Sequence, residues 1–303
     1  SSAAEPAGEE PYVIGEDVSR RGENEKHFLM SDGSSVAALY ETDVHYQDET
    51  GAFQEIDNSF ESAGDENQTK DGKQKVKLAK KASAKKLVTI HTDDYKISWG
   101  FADAAKSRAE VQPMEENLTD DPFAVKNLTG EMRYSDVFDG VDLRYLVTPE
   151  GVKEDIILKD RSARRSFTVY YDVGQLTARQ KDSRTVELLA GDTVVYEIIA
   201  PMMTDANGSF SDALTLTLTE QKNGKLTVVL TADSAWLDDS ARYYPVTVDP
   251  MVMTKQDSAT IQSKYITSAN SNMNAYGSLY VGNQPGGMGL VYTAVLYDNL
   301  PAL

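Results

Sequence analysis

The 303-residue sequence predicts an all-β chain: an antiparallel β-sandwich-like module or modules with few short helices, followed by the start of a further, incomplete β-sandwich. Three observations carry that prediction. Short runs with period-two apolar alternation recur along most of the chain. Turn residues such as "FDG", "TPEG" and Asn223-Gly224 separate several of them. Apolar residues at helical spacing are scarce.

Residues 1–25 are rich in Ala, Glu, Gly, Pro and Ser with few apolar anchors, and are expected to be a disordered linker. The strand-like runs "SSVAALY", "FQEID", "KLVTIH" and "YKISWGF" follow. "FADAAKSRAEV", Phe101–Val111, is the best helix candidate, although its caps are poor. "GEMRY", "VDLRYLV" and "VKEDIIL" come next, joined by the turns "FDG" and "TPEG", then "SFTVYYDV", "TVELLA" and "TVVYEII". The clearest hairpin is "LTLTLTEQKNGKLTVVLTA", in which Asn223-Gly224 signals a type I′ turn. Leu214, Leu216 and Leu218 share one face of its first strand, and Leu226, Val228 and Leu230 share one face of its second. "ADSAWLDD" reads as a single helical turn, and Trp99 and Trp236 read as core anchors. Asp249-Pro250 stops the run Tyr244–Val248, and a new alternating run starts within a few residues. The expected organisation is therefore a linker (1–25), a β-rich module (26–250) and a truncated second module (251–303). The composition shift at "QPMEENLTDDP", 112–122, is an internal boundary candidate, so 26–250 is one domain or two.

The net charge of −18 argues against a nucleic-acid partner and against an anionic membrane surface. The absence of cysteine excludes disulfides, a thiol nucleophile and Cys-ligated metals. No apolar run reaches the ~18 residues of a membrane span. The start "SSAAEPAGEEP", without Met, suggests that an export leader was lost upstream. Charge is uneven: residues 1–66 carry a net −14, residues 67–111 a net +6 and residues 112–303 a net −10. The basic island, "KDGKQKVKLAKKASAKKLVTI", reads either as a patch for an anionic polymer or as a lysine-rich edge strand or a face docked on the acidic N-terminal third. The lack of interleaved aromatics favours the second group.

Chemistry is sparse. His27, His45 and His91 are far apart, and no HExxH, GxSxG or Walker pattern exists. "QPGGMG" lies between β runs and reads as a hairpin loop. "DANGSFSD" (Asp205–Asp212) and "DENQTKDG" (Asp65–Gly72) fail the EF-hand pattern and read as turns; calcium outside that pattern stays open, and no other cofactor is expected. The 48 acidic residues guarantee some close pairs, but nothing singles out a pair for glycoside hydrolysis.

The segments "SDGSSVAALYETDVHYQDETGAFQEIDNSF", "DYKISWGF", "YSDVFDGVDLRYLVTPEGVKEDIIL", "APMMTDANGSFSD" and "ADSAWLDDSARYYPVTVDP", in this order, resemble the N-terminal region of the wall-associated RHS/YD-repeat proteins of Gram-positive bacteria, a polymorphic-toxin family. The stretch "KQDSATIQSKYITSANSNMNAYGSLYVGNQPGGMGLVYTAVLYDNLPAL" resembles the first third of a DNRLRE domain, a β-sandwich related to carbohydrate-binding modules. The resemblance implies a secreted or wall-associated location and a non-enzymatic structural or anchoring role, with any toxin activity downstream. The implied partners are the downstream YD-repeat region and a cell-wall glycan, with no nucleic acid and no membrane insertion. Tyr265, Asn270, Asn272, Tyr276 and Tyr280 form a loop-rich aromatic and amide set that suits a glycan, or else core tyrosines and turn asparagines. The alternatives are a hydrolase using paired carboxylates and an adhesin that adds strands at sheet edges.

Overall fold

A computed structural model of the chain describes residues 10–92, 94–200 and 202–254. The fold is all-β and antiparallel, with few short helices. Two large sheets make a sandwich. The smaller has eight strands, in the spatial order Leu214–Lys222, Lys225–Ala232, Ser166–Asp172, Lys96–Phe101, Val88–His91, Lys75–Ala79, Glu66–Asp71 and Asp57–Ala63. The main path of the larger runs Ala109–Gln112, Gly130–Phe138, Val141–Thr148, Gly151–Leu158, Met251–Thr254, Thr193–Ile199, Thr185–Ala190 and Thr177–Asp182. Met203–Asp205, Phe210–Ser211 and Val246–Val248 complete its eleven strands.

The stretch 112–122 joins two paired strands at one edge of the larger sheet, and the chain on its C-terminal side supplies strands to both sheets. Pairing also continues past Pro250, because Met251–Thr254 runs beside Thr193–Ile199. The expected sandwich start after Thr254 lies outside the described residues.

Alternation explains the core. Met132, Tyr134, Leu143, Tyr145, Val152 and Ile156 face inward from the larger sheet and meet Leu78, Val88, Ile97, Trp99 and Val169 of the smaller. Trp99 stacks on Tyr171 with ring centroids 5.9 Å apart, and Tyr134 meets Tyr145 edge-on at 5.9 Å. Phe101, Phe138 and Phe167 form a second aromatic knot.

The hairpin 214–232 has the expected turn, with φ of 49° at Asn223 and 72° at Gly224. Glycine is required there for a second reason: a Cβ on Gly224 would stand 2.0 Å from the Gly174 carbonyl oxygen. Ser234–Asp238 is the expected single turn, and the Asp233 carboxylate caps it by accepting from the Trp236 amide.

Three expectations are corrected. Phe101–Val111 is not a helix: Phe101 ends one strand, Ala109 begins another, and the Ala102 and Ala105 amides donate to the Thr168 and Val137 carbonyls. Moderate propensity without caps loses to those tertiary bonds. The lysine-rich strand Lys75–Ala79 is interior to its sheet, not an edge; the edge is Asp57–Ala63. Its neighbourhood does meet acidic partners, since Lys73 pairs with Asp43 at 2.7 Å and Lys77 with Glu66 at 3.6 Å. Asp65–Gly72 is mostly strand rather than turn.

Part of the stretch read as linker is also built into structure. Val13–Glu16 pairs with Glu25–Met30, which pairs with Ser35–Leu39. His45–Gln47 and Phe53–Glu55 form a two-stranded ribbon beside it. Phe28, Ala38, Tyr40, Val44 and Ile56 make a second, smaller core with Val125 and Leu128, which come from the link before Gly130.

Candidate functional site

The outward face of the larger sheet carries a stripe of charge across its strands. Glu131 and Arg133 stand on the strand Gly130–Phe138, Arg144 on the next, and Lys153 and Asp155 on the next. Arg144 donates to Glu131 at 2.8 Å and to Asp155 at 2.9 Å, and Arg133 to Glu131 at 2.5 Å. Lys153 lies 3.2 Å from Asp155 and 3.7 Å from Asp249. Beyond Met251–Thr254 the stripe resumes: Glu197 pairs with Lys181 at 3.0 Å, and Glu187 with Arg179 at 2.5 Å.

All five carboxylates are buried, while the cations that cover them keep more of their side chains in solvent. Five acids and five bases leave the stripe neutral. The placement follows from strand parity: each carboxylate is one residue away from a core position, so it points outward beside a basic residue of a neighbouring strand. Burial pushes the Glu131 carboxyl up, but bonds from Arg144 and Arg133 outweigh it and hold the group below its ordinary range. Glu187 and Glu197 face each other across adjacent strands, yet each has its own cation. These carboxylates are tied up as an electrostatic clamp across the sheet.

Glu154 is the exception. It sits beside Asp155 in sequence but points the other way, into the core, and accepts from the Trp99 indole N–H at 2.8 Å. Burial lifts its carboxyl to about 7, against the pull of the Trp99 bond, and the charges of Asp155 and Asp249 add to the rise. Glu154 and Asp155 therefore cannot act together on one substrate: they lie on opposite faces of one strand.

A polar corner lies beside the strands Met203–Asp205 and Val246–Val248, which branch from Gly151–Leu158. Asp205 is buried and pairs with Arg242 at 2.9 Å, and Arg242 lies 3.5 Å over the Trp236 ring. The Asp205 carboxylate also accepts from the Asn207, Ser209 and Tyr243 amides. The segment "DANGSFSD" is thus a turn organised by its first residue, with Gly208 at φ 83°.

One grouping had no sequence signal. Glu16, His45 and Glu55 place their ligand-type atoms within 4.8 Å of one another. Glu16 ends the strand Val13–Glu16, and His45 lies directly opposite Glu55 in the ribbon. Strand pairing creates this proximity between residues far apart in sequence, so no motif announces it. The glycan set Tyr265, Asn270, Asn272, Tyr276 and Tyr280 lies outside the described residues. No helix among the described residues is long and apolar enough to cross a membrane.

No family model matches the chain, and no solved structure matches it. Curated proteins do. The chain is 28% identical over 306 residues to the tRNA nuclease WapA of Bacillus subtilis strain 168. The match covers 94% of this chain and 13% of that protein. The similarity is to nucleases. The tRNA3(Ser)-specific nuclease WapA of Bacillus spizizenii is 27% identical over 266 residues, covering 84% of this chain and 11% of its own. The tRNA(Glu)-specific nuclease WapA of Bacillus subtilis subsp. natto is 27% identical over 306 residues, with 94% of this chain and 13% of its own covered. The chain spans about an eighth of the length of the curated relatives it matches. These names overturn the expectation that the protein is not an enzyme.

Proposed function

We propose that the chain is a β-sandwich segment of a much longer secreted nuclease of the WapA kind, and that the whole protein cleaves tRNA. Within it, the segment serves as a wall-associating scaffold. The observation that supports this most is the coverage: similarity runs over 94% of this chain but takes up only 13% of the relative. The sandwich suits a scaffold. Its two sheets share one large apolar core, and its outward carboxylates are neutralised by neighbouring cations.

The residues beyond Thr254 fit this reading as the start of a DNRLRE-type carbohydrate-binding sandwich, with Tyr276 and Tyr280 as glycan platforms. The RHS/YD-repeat region of the same polypeptide is the expected internal partner.

The test is co-sedimentation of the chain with purified Gram-positive cell walls, beside a tRNA cleavage assay on the same material. Retention on the walls is expected. A chain that stays in the supernatant removes the wall-associating role. A chain that cleaves tRNA by itself places the activity in this segment and removes the scaffold role.

A further inference from the structure

We infer that Glu16, His45 and Glu55 form a binding site for a first-row transition dication such as Zn2+. The decisive residue is His45. Its side chain is fully buried (0% exposed). Nδ1 lies 2.7 Å from the Gly22 carbonyl oxygen, an acceptor only, so Nδ1 carries the proton. Nε2 is then a bare lone pair. It is buried and has no hydrogen-bond partner. An imidazole held through Nδ1–H by a backbone carbonyl, with Nε2 turned toward carboxylates, is the arrangement that orients histidine ligands for metals. A buried acceptor left without a donor is costly, about 1–3 kcal/mol. A metal ion would satisfy it.

The geometry is close to what an ion needs. His45 Nε2 is 3.9 Å from Glu16 Oε1. Two donors of a tetrahedral zinc site stand about 3.3 Å apart, so a contraction of roughly half an ångström suffices for this pair. Glu55 completes the set from the facing strand; its side chain is 55% exposed, and Lys26 and Arg21 hold its Oε1 at 2.6 and 3.2 Å. The imidazole nitrogen is a borderline donor, and with two carboxylate oxygens it makes a set that suits zinc and its neighbours better than calcium, which takes oxygen ligands in larger number.

Two cations already hold the carboxylates, and they define how the site works. Arg21 grips Glu16 in a fork, Nε to Oε1 at 2.7 Å and Nη2 to Oε2 at 3.1 Å. Lys26 Nζ sits 2.6 Å from Glu55 Oε1 and 3.6 Å from Glu16 Oε2. The guanidinium fork orients Glu16 without blocking the second lone pair of Oε1. The lysine is a point charge on a flexible stem, and it occupies the position between the carboxylates. A dication enters by displacing Lys26 Nζ, so Lys26 is the competitor that sets the affinity.

The test is calorimetric titration of the whole chain with zinc chloride, comparing the parent with Lys26→Met, Glu55→Gln and His45→Gln. Circular dichroism checks that each variant is folded. The parent is expected to bind one ion. Glu55→Gln and His45→Gln are each expected to weaken binding by about tenfold or more, and Lys26→Met to tighten it. His45→Gln alters a fully buried position, whereas Glu55→Gln, at a half-exposed one, tests the site without disturbing the core. Zinc uptake undiminished in Glu55→Gln overturns the proposal, because the ion then sits elsewhere on this acidic chain. So does the absence of uptake at millimolar zinc by both the parent and Lys26→Met. Affinity unchanged in Lys26→Met overturns the exchange at Lys26.

Discussion

Gln180 and Gln221 clamp one flank of the sandwich from opposite sides. Gln180, on the last strand of the larger sheet, donates to the Leu216 carbonyl and accepts from the Leu218 amide, both at 2.7 Å. Gln221, on the edge strand Leu214–Lys222 of the smaller sheet, accepts from the Ala178 amide at 2.7 Å and donates to the Ala178 carbonyl at 2.9 Å. Each side-chain amide stands in for a missing strand. The opposite flank is joined by backbone bonds, from Ala109 to Lys80 and from Ala82 to Ser107. The edge strands Thr177–Asp182, Leu214–Lys222 and Ala109–Gln112, which would otherwise template association, are thereby engaged within the chain.

Replacing both glutamines with alanine is expected to cost about 2 kcal/mol, since several partly exposed bonds are lost at once. It should also produce concentration-dependent association. Urea unfolding and light scattering after size exclusion measure the two effects. An unchanged urea midpoint would show that the amides are incidental.

Glu154 should make stability fall between about pH 4.5 and 7. Its folded pKa, about 7, lies above the ordinary value of 4.5. The folded state therefore holds the proton that the unfolded chain has released, and stability present at low pH is lost as pH rises through that window. The full effect is on the order of 3 kcal/mol. Glu154→Gln keeps an acceptor for the Trp99 indole and should flatten this part of the profile. Thermal melts of both proteins at pH 5 and pH 8 give the comparison; parallel profiles would mean that Glu154 does not titrate in the fold.

Breaking the Asp205–Arg242 pair should be severe. Both side chains are buried, and removing one partner strands the other charge at a cost of about 3–5 kcal/mol. The double variant Asp205→Ala/Arg242→Ala should lose less than the sum of the single losses. Strict additivity in denaturant unfolding would contradict direct coupling.

Gly130→Ala should destabilise by about 3 kcal/mol. A Cβ there would stand 2.1 Å from the Asn58 carbonyl oxygen and 3.0 Å from the Phe60 ring, where the strand Asp57–Ala63 of the smaller sheet meets the larger. Gly15→Ala, with nothing within 4 Å, serves as the control. Equal urea midpoints for the two variants would refute the steric argument.

What could be read in the sequence was what is encoded locally. Asn223-Gly224 carries its own turn geometry, and the alternation of Leu214, Leu216, Leu226, Val228 and Leu230 assigns their face without reference to the rest of the fold. Trp99 was legible as core for the same reason. What failed depended on partners. Lys75–Ala79 looks like an exposed edge because its lysines alternate with apolar residues, yet it is flanked on both sides by strands that its own sequence cannot reveal. Val13–Glu16 has too few apolar residues to announce a strand and exists because Glu25–Met30 pairs with it. The approach of His45 to Glu16 is set by two separate pairings, so no spacing rule could find it.

The place of Met251–Thr254, between Gly151–Leu158 and Thr193–Ile199, bears on how the protein is made. A ribosome delivers the flanking strands first and leaves a gap between them, which only residues more than fifty positions later can fill. Folding during synthesis must therefore wait: the larger sheet stays split in two halves until its keystone emerges. Nascent chains arrested before residue 251 should be sensitive to protease where those arrested well beyond 254 are resistant. In such a protein the order of translation and the order of assembly are deliberately out of step.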